Sequence, residues 1–266
     1  MVDGGALKAI ARELYDETDD SLIPGGSSVY GPLVRWQLKE SRGRPFLYPE
    51  PFNGVVSGSC AVLFLGMNAI YRPDEDLPST GVSFQEYFKF YRTRLHEIQK
   101  DGFPAHRSMG GELKRIPALE RITDRYLTRI KSPLGSLRFG KNCMYANVVP
   151  FWSSKWQGRI GAQAYLRKGG RWNDVLAACD RRVGRLVKAA APGLTVLHGA
   201  VAKDLFPELE GLQMSDAPIL SIRRDNIEFP VQWLYDSLSA TTQSAAQEYY
   251  AVAAAQAQAV LSGQQG

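Results

Sequence analysis

The chain has 266 residues with a formal net charge of +5; 44% are hydrophobic and 11% aromatic, which fits a packed globular core and excludes a disordered protein. No apolar run approaches the ~20 residues of a membrane span, and the acidic start (Asp16, Glu17, Asp19, Asp20) is unlike a signal peptide, so a soluble cytoplasmic protein with no membrane partner is expected. Charge is unevenly spread: residues 85–141 hold thirteen Lys/Arg against six Asp/Glu and residues 154–203 hold ten against two, while both ends are acidic, a pattern that suits a basic face for a polyanion.

In chain order, Asp3 is placed to cap a first helix whose apolar face is Leu7, Ile10, Ala11, Leu14 and Tyr15. A Pro/Gly/Ser-rich loop (24–28) leads to a short helix around Trp36, and 44–51 reads as extended connection. Ala61–Leu65 is an apolar run bounded by glycines, the signature of a buried strand in a parallel sheet. The chain is expected to turn at Gly66 and to present Asn68 at the carboxyl end of that strand, where open α/β sheets bind ligands. Ser83 and Glu86 form a capping box that opens a helix burying Phe84, Tyr87, Phe88, Tyr91, Leu95 and Ile98; Phe84, in its first turn, can face a ligand. Residues 102–111 read as loop, and Pro117 begins a helix with Ile122, Tyr126 and Ile130 inward and Arg121, Arg125 and Arg129 as a stripe.

Residues 142–151 read as a second buried strand ending at Pro150, with Asn147 as its one polar side chain late in the run; a buried amide without partners costs about 1–3 kcal/mol, so Asn147 must bond to protein or ligand. A basic loop (152–170) precedes a long helix marked by Trp172, Val175, Leu176, Cys179, Val183, Leu186 and Val187 and stopped by Pro192-Gly193. A third strand (194–197) is followed by Gly199 and a helix to Phe206. A fourth strand (217–222) returns as a hairpin through Asp225-Asn226, and a final Ala/Gln-rich helix follows Asp236 and is expected to fray at its end. Alternating strands and helices without a long linker predict one α/β domain over residues 1–266. The three cysteines, Cys60, Cys143 and Cys179, are far apart with no CxxC pair; they are too few for a typical iron–sulfur cluster and read as buried thiols.

Four of these segments together resemble the uracil-DNA glycosylase superfamily, most closely its single-strand-selective monofunctional branch. Leu63-Phe64-Leu65-Gly66-Met67-Asn68 is similar to that branch's strand ending in Gly-Met-Asn-Pro-Gly. Thr80-Gly81-Val82-Ser83-Phe84 is similar to its Thr-Gly-Val-Pro-Phe, and Ala146-Asn147-Val148-Val149-Pro150 to the strand whose asparagine reads the uracil edge. Residues 179–206 resemble the later helix, strand and helix of the fold. The resemblance implies a three-layer α/β/α fold with a central, mostly parallel four-stranded sheet. Two departures stand out. Ala69-Ile70 replaces Pro-Gly, and the family's His-Pro-Ser before the last helix aligns with Asp236-Ser237-Leu238; the only histidines, His96, His106 and His198, lie elsewhere, and His96 and His198 read as structural.

What the resemblance implies is a monofunctional DNA glycosylase of base excision repair. It would excise uracil or a related deaminated base, act as a nucleoid-associated monomer, and need no metal or cofactor. A base must be flipped out of the duplex to be reached. Gly66 and Met67 would then border the base, Phe84 would stack on it, and Asn147 would both donate to and accept from its edge. Asn68 would orient the attacking water, and Asp236 would stabilise the sugar cation or activate that water, as carboxylates do in glycoside hydrolysis. Lys155 and Ser237 are expected on the DNA, with Leu238 or Arg223 as the wedge that fills the vacated stack. The alternative is a member of the fold that binds nucleic acid or a nucleotide without cleaving it. A small-molecule hydrolase is disfavoured, since no Gly-x-Ser-x-Gly elbow is present.

Overall fold

In the computed structural model the described residues are 1–41, 49, 51–54, 57–70, 105–107, 113–115, 122–132, 134–153, 161–235 and 243–263. Helices α1 (Gly4–Leu22) and α2 (Gly31–Ser41) precede strand β1 (Val62–Ile70); a short hairpin, β2 (Ala105–Arg107) and β3 (Leu113–Arg115), follows in sequence. Then come β4 (Cys143–Ser153), α3 (Ala162–Lys168), α4 (Trp172–Ala190), β5 (Leu194–His198), the strand pair β6 (Ile219–Arg224) and β7 (Ile227–Leu234), and α5 (Gln243–Gly263). The main sheet has five strands in the order β4-β1-β5-β7-β6. The first four run parallel and β6 runs antiparallel at the edge. This is the α/β class the sequence predicts, with one more strand than the resemblance implies.

Strand parity divides the core. Leu63, Leu65 and Met67 of β1, with Met144, Ala146 and Val148 of β4, pack beneath α1, α2 and α4. Val62, Phe64, Cys143, Leu194 and Val196 face the other layer, where Tyr126, Tyr250, Ala253 and Ala257 lie. Each layer has its own polar anchor. On the α5 side, Tyr126 Oη donates to the buried Gln232 Oε1 at 2.6 Å, and Gln232 Nε2 donates to the Ala253 carbonyl at 2.9 Å. On the α4 side, the Arg224 guanidinium forks onto Glu208 (2.5 and 2.9 Å) and reaches Asp180 at 3.1 Å. Arg224 holds the Glu208 carboxylate below its usual range, while burial pushes Asp180 up.

Local chemistry accounts for most boundaries. Asp3 Oδ1 accepts from Ala6 N at 2.9 Å and caps α1, whose buried residues include Leu7, Ile10, Ala11, Leu14 and Tyr15. Helix α4 stops at the left-handed Ala191, just before Pro192. Asp225 and Asn226 both have positive φ, the two-residue turn that matches strand twist in a tight hairpin. Other expectations are corrected. The chain does not turn at Gly66: β1 runs on to Ile70, paired with β4 through Gly66–Asn147 and Asn68–Val149, with a register shift beyond Asn68. Nor does β4 end at Pro150. The strand is outermost in the sheet, and proline's missing N–H is tolerated at an edge or beside an irregularity. Residues 102–111, expected as loop, contribute β2, too short to show a period. The helix expected after Gly199 is a 3-10 segment, Ala200–Asp204. All three cysteines are buried free thiols, and burial pushes Cys60 and Cys179 up to about 12. Among the described residues no helix is long and apolar enough to cross a membrane.

Candidate functional site

Where β5 ends, beside the middle of β1 and the first half of β4, three polar side chains gather on the backbone of Gly66. Parity alone brings two of them there. Tyr145 and Asn147 are two residues apart on β4, so both side chains leave the same face. That face is also Gly66's, since Gly66 and Asn147 are register partners. His198 ends β5, the strand on β1's other side. A Cβ at Gly66 would collide with Tyr145 Oη and stand 2.7 Å from Asn147 Oδ1 and 3.1 Å from His198 Nε2. Position 66 is therefore glycine because neighbouring polar atoms occupy the space a side chain needs.

Asn147 is 2% exposed, yet its amide is not left unbonded: Tyr145 Oη donates to Asn147 Oδ1 at 2.9 Å. The Tyr145 and His198 rings lie 5.9 Å apart between centroids, tilted by 35°. Tyr145 and His198 are half-buried, Asn147 is buried, and the ring nitrogens of His198 are themselves enclosed.

The backbone that carries Asn147 is held from outside the sheet. As an edge strand, β4 would present unpaired carbonyls. Asn53 covers part of that edge by exchanging two backbone bonds with Tyr145, at 2.6 and 2.7 Å. Gly54 approaches so closely that a Cβ would sit 2.6 Å from the Cys143 carbonyl oxygen. Arg182 covers the next stretch: this buried α4 side chain donates to the carbonyls of Asn147, Val148 (3.0 Å) and Pro51 (3.1 Å). Burial lowers its pKa, opposed by Tyr30 and Cys179 beside it. Arg182 is a positioning residue for Asn147.

The predicted site residues divide three ways. Gly66 and Asn147 come together as expected. Asn68 lies on β1 opposite Val149, two residues beyond Gly66. The Met67 side chain is corrected: it is 8% exposed within the core beneath α1 and α4, on the face away from Asn147, because successive strand residues alternate sides. Arg223 is corrected too. It pairs in register with Glu228 at the start of β7, whereas His198 pairs with Leu234 at its end, so about 20 Å of strand separates Arg223 from the pocket end of the sheet. Its guanidinium bonds to Glu228 at 3.0 Å, away from the Gly66 cluster. Phe84, Lys155, Asp236, Ser237 and Leu238 lie outside the described residues. Two residues were missed, or set aside, in reading the sequence. Tyr145 reads as core in an apolar run, and His198 reads as structural; the signal that finds both is the β1–β4–β5 register, which no local pattern contains.

Compared with known proteins, the chain matches no protein-family model and no curated sequence.

Proposed function

We propose that this chain is a monofunctional DNA glycosylase that removes uracil or a related deaminated base by hydrolysing the N-glycosidic bond. The observation that carries the reading is the convergence of Asn147, Tyr145 and His198 on Gly66, beside the carboxyl end of the central strand β5, and open α/β sheets bind ligands at such strand ends. Breaking that bond leaves positive charge on the sugar and moves negative charge onto the departing base. Fixed donors aimed at a base oxygen, in a site that excludes water, act on that charge as it develops. Asn147 supplies an amide for the base edge. His198 supplies a second donor from β5, and we assign it the task that the superfamily's missing histidine would have had after β7. Asn68 and Asp236 stay as the candidates for orienting and activating water.

The test is direct. Purified protein is incubated with labelled oligonucleotides carrying one uracil, hypoxanthine or xanthine, and abasic sites are then cleaved with alkali. Strand scission at one or more of these lesions, lost in Asn147→Ala, is the expected result. Intact strands for all three, single- or double-stranded, would overturn the reading; DNA binding in that case leaves a nucleic-acid-binding member of the fold.

A further inference from the structure

We propose that Tyr145 is a specificity-determining residue: its hydroxyl fixes which end of the Asn147 amide faces the ligand, so that the pocket selects a carbonyl and rejects an exocyclic amine. The inference rests on the glycosylase reading for the identity of the ligand as a base, but the geometry stands on its own. A carboxamide is two-faced, with an oxygen that accepts and a nitrogen that donates, and the two ends have nearly the same shape. A buried asparagine therefore discriminates between bases only if something holds it one way round. Here Tyr145 Oη donates to Asn147 Oδ1 at 2.9 Å, from two residues earlier on the same strand face. A phenol is a better donor than acceptor, because its oxygen lone pair is drawn into the ring, so this orientation is preferred over the flipped one. With Oδ1 engaged, the presented end is Nδ2, a donor.

The consequence falls on the edge that deamination alters. Cytosine and adenine carry an amine where uracil and hypoxanthine carry a carbonyl. A fixed Nδ2 donor meets the carbonyl and opposes the amine, donor against donor, which leaves buried polar groups unbonded. Gly66 belongs to the same device. Any larger residue would drive into Tyr145 Oη and press on Asn147 Oδ1, 2.7 Å from where its Cβ would be. His198, on the strand at β1's other side, comes within 3.1 Å of the same point.

The experiment measures the affinity of the full chain for free uracil and free cytosine by NMR titration, in the wild type, Tyr145→Phe, Asn147→Ala and the double variant. Tyr145→Phe keeps the ring and its packing, and a thermal melt confirms the fold. The wild type should prefer uracil. Tyr145→Phe should reduce the uracil-to-cytosine affinity ratio about tenfold, the loss expected when one hydrogen bond no longer holds the amide. In the Asn147→Ala background Tyr145→Phe should leave the ratio unchanged, a non-additivity that a purely structural role would not produce. An unchanged ratio in Tyr145→Phe overturns the proposal, and so does a wild type that binds both bases equally or neither. Uracil excision by the same wild-type preparation tests the glycosylase reading separately. A protein that selects uracil through Tyr145 and cleaves nothing loses the enzyme assignment and keeps this one.

Discussion

Gly66 shows what one missing side chain does. Its φ lies outside the left-handed region, so alanine is conformationally allowed there, and removing backbone freedom from the unfolded chain would by itself favour alanine slightly. The obstacle is steric: the methyl group would meet Tyr145 Oη and Asn147 Oδ1, and those side chains would have to shift to admit it. Gly66→Ala should destabilise the protein by about 1–3 kcal/mol in denaturant melts, the range seen for overpacked cores. Adding Tyr145→Phe removes one of the two atoms in the way, so the double variant should be more stable than the sum of the single changes, by a coupling of about 0.5–3 kcal/mol. Strict additivity would mean that the hydroxyl and Gly66 do not share the same space. Asn147 was legible in the sequence because an amide in an apolar strand has to be explained. Tyr145 was not, since an aromatic in such a run looks like core, and only knowledge that position 145 shares a face with 147 and 66 reveals its role.

At the scale of elements, β4 is an edge strand that carries the buried Asn147, and its outer side is closed by pieces brought from elsewhere. Asn53 supplies a backbone ladder, and Arg182 of α4 supplies a guanidinium that spans three carbonyls. In the sequence Arg182 is one cation of the basic block; the structure shows it three residues after Cys179 and four before Leu186, on the apolar stripe of α4, where a charge is out of place unless it has a task. What it bonds was not readable, because the carbonyls, of Pro51 and of β4, are far away in sequence. Arg182→Leu should cost about 2–4 kcal/mol of stability by leaving buried carbonyls without donors. Arg182→Lys should recover only part of that, since an ammonium is a compact charge and cannot reproduce the planar fork. Both substitutions should also weaken base binding, because the Asn147 carbonyl loses its anchor. A Lys variant that melts and binds like the wild type would show that charge alone, rather than the fork, holds β4. The helices and parallel strands themselves were largely legible, as for α1, whose buried face matches the expected stripe. Where strands end was not, since β1 and β4 continue through Gly66 and Pro150, residues that ordinarily signal a stop.

For the molecule as a whole, the basic blocks look different once folded. Together with residues 85–141, the block 154–203 suits a basic face for a polyanion, but several of its cations are engaged within the protein. Arg182 is buried on backbone carbonyls, Arg185 pairs with Glu13 at 2.5 Å, Arg171 pairs with Asp174 at 3.2 Å, and Arg167 lies over the Trp172 ring. The block also contains α4, whose apolar face packs with Leu63, Leu65 and Met67, the layer opposite the face that holds Tyr145, Asn147 and His198. Charge counts along a sequence cannot separate these cases, because a cation's availability depends on which layer its element joins and on what lies next to it. The two ends of the block should therefore respond differently to neutralisation. Arg181 and Lys188 are exposed on α4, away from the pocket face, and Arg181→Gln with Lys188→Gln should leave DNA affinity and its salt dependence nearly unchanged. Lys155 lies outside the described residues, two positions in sequence after β4 ends at Ser153. If it meets a phosphate, Lys155→Gln should weaken binding uniformly across sequences and lower the slope of log affinity against log salt by about 0.7–0.9, the contribution of one released counterion. Fluorescence anisotropy with a labelled oligonucleotide, from low to physiological salt, gives both slopes. Equal losses for the α4 pair and for Lys155 would mean that DNA binds through charge on every side of the molecule; a loss confined to the α4 pair would put the DNA on the layer away from Asn147 and separate it from the proposed base pocket.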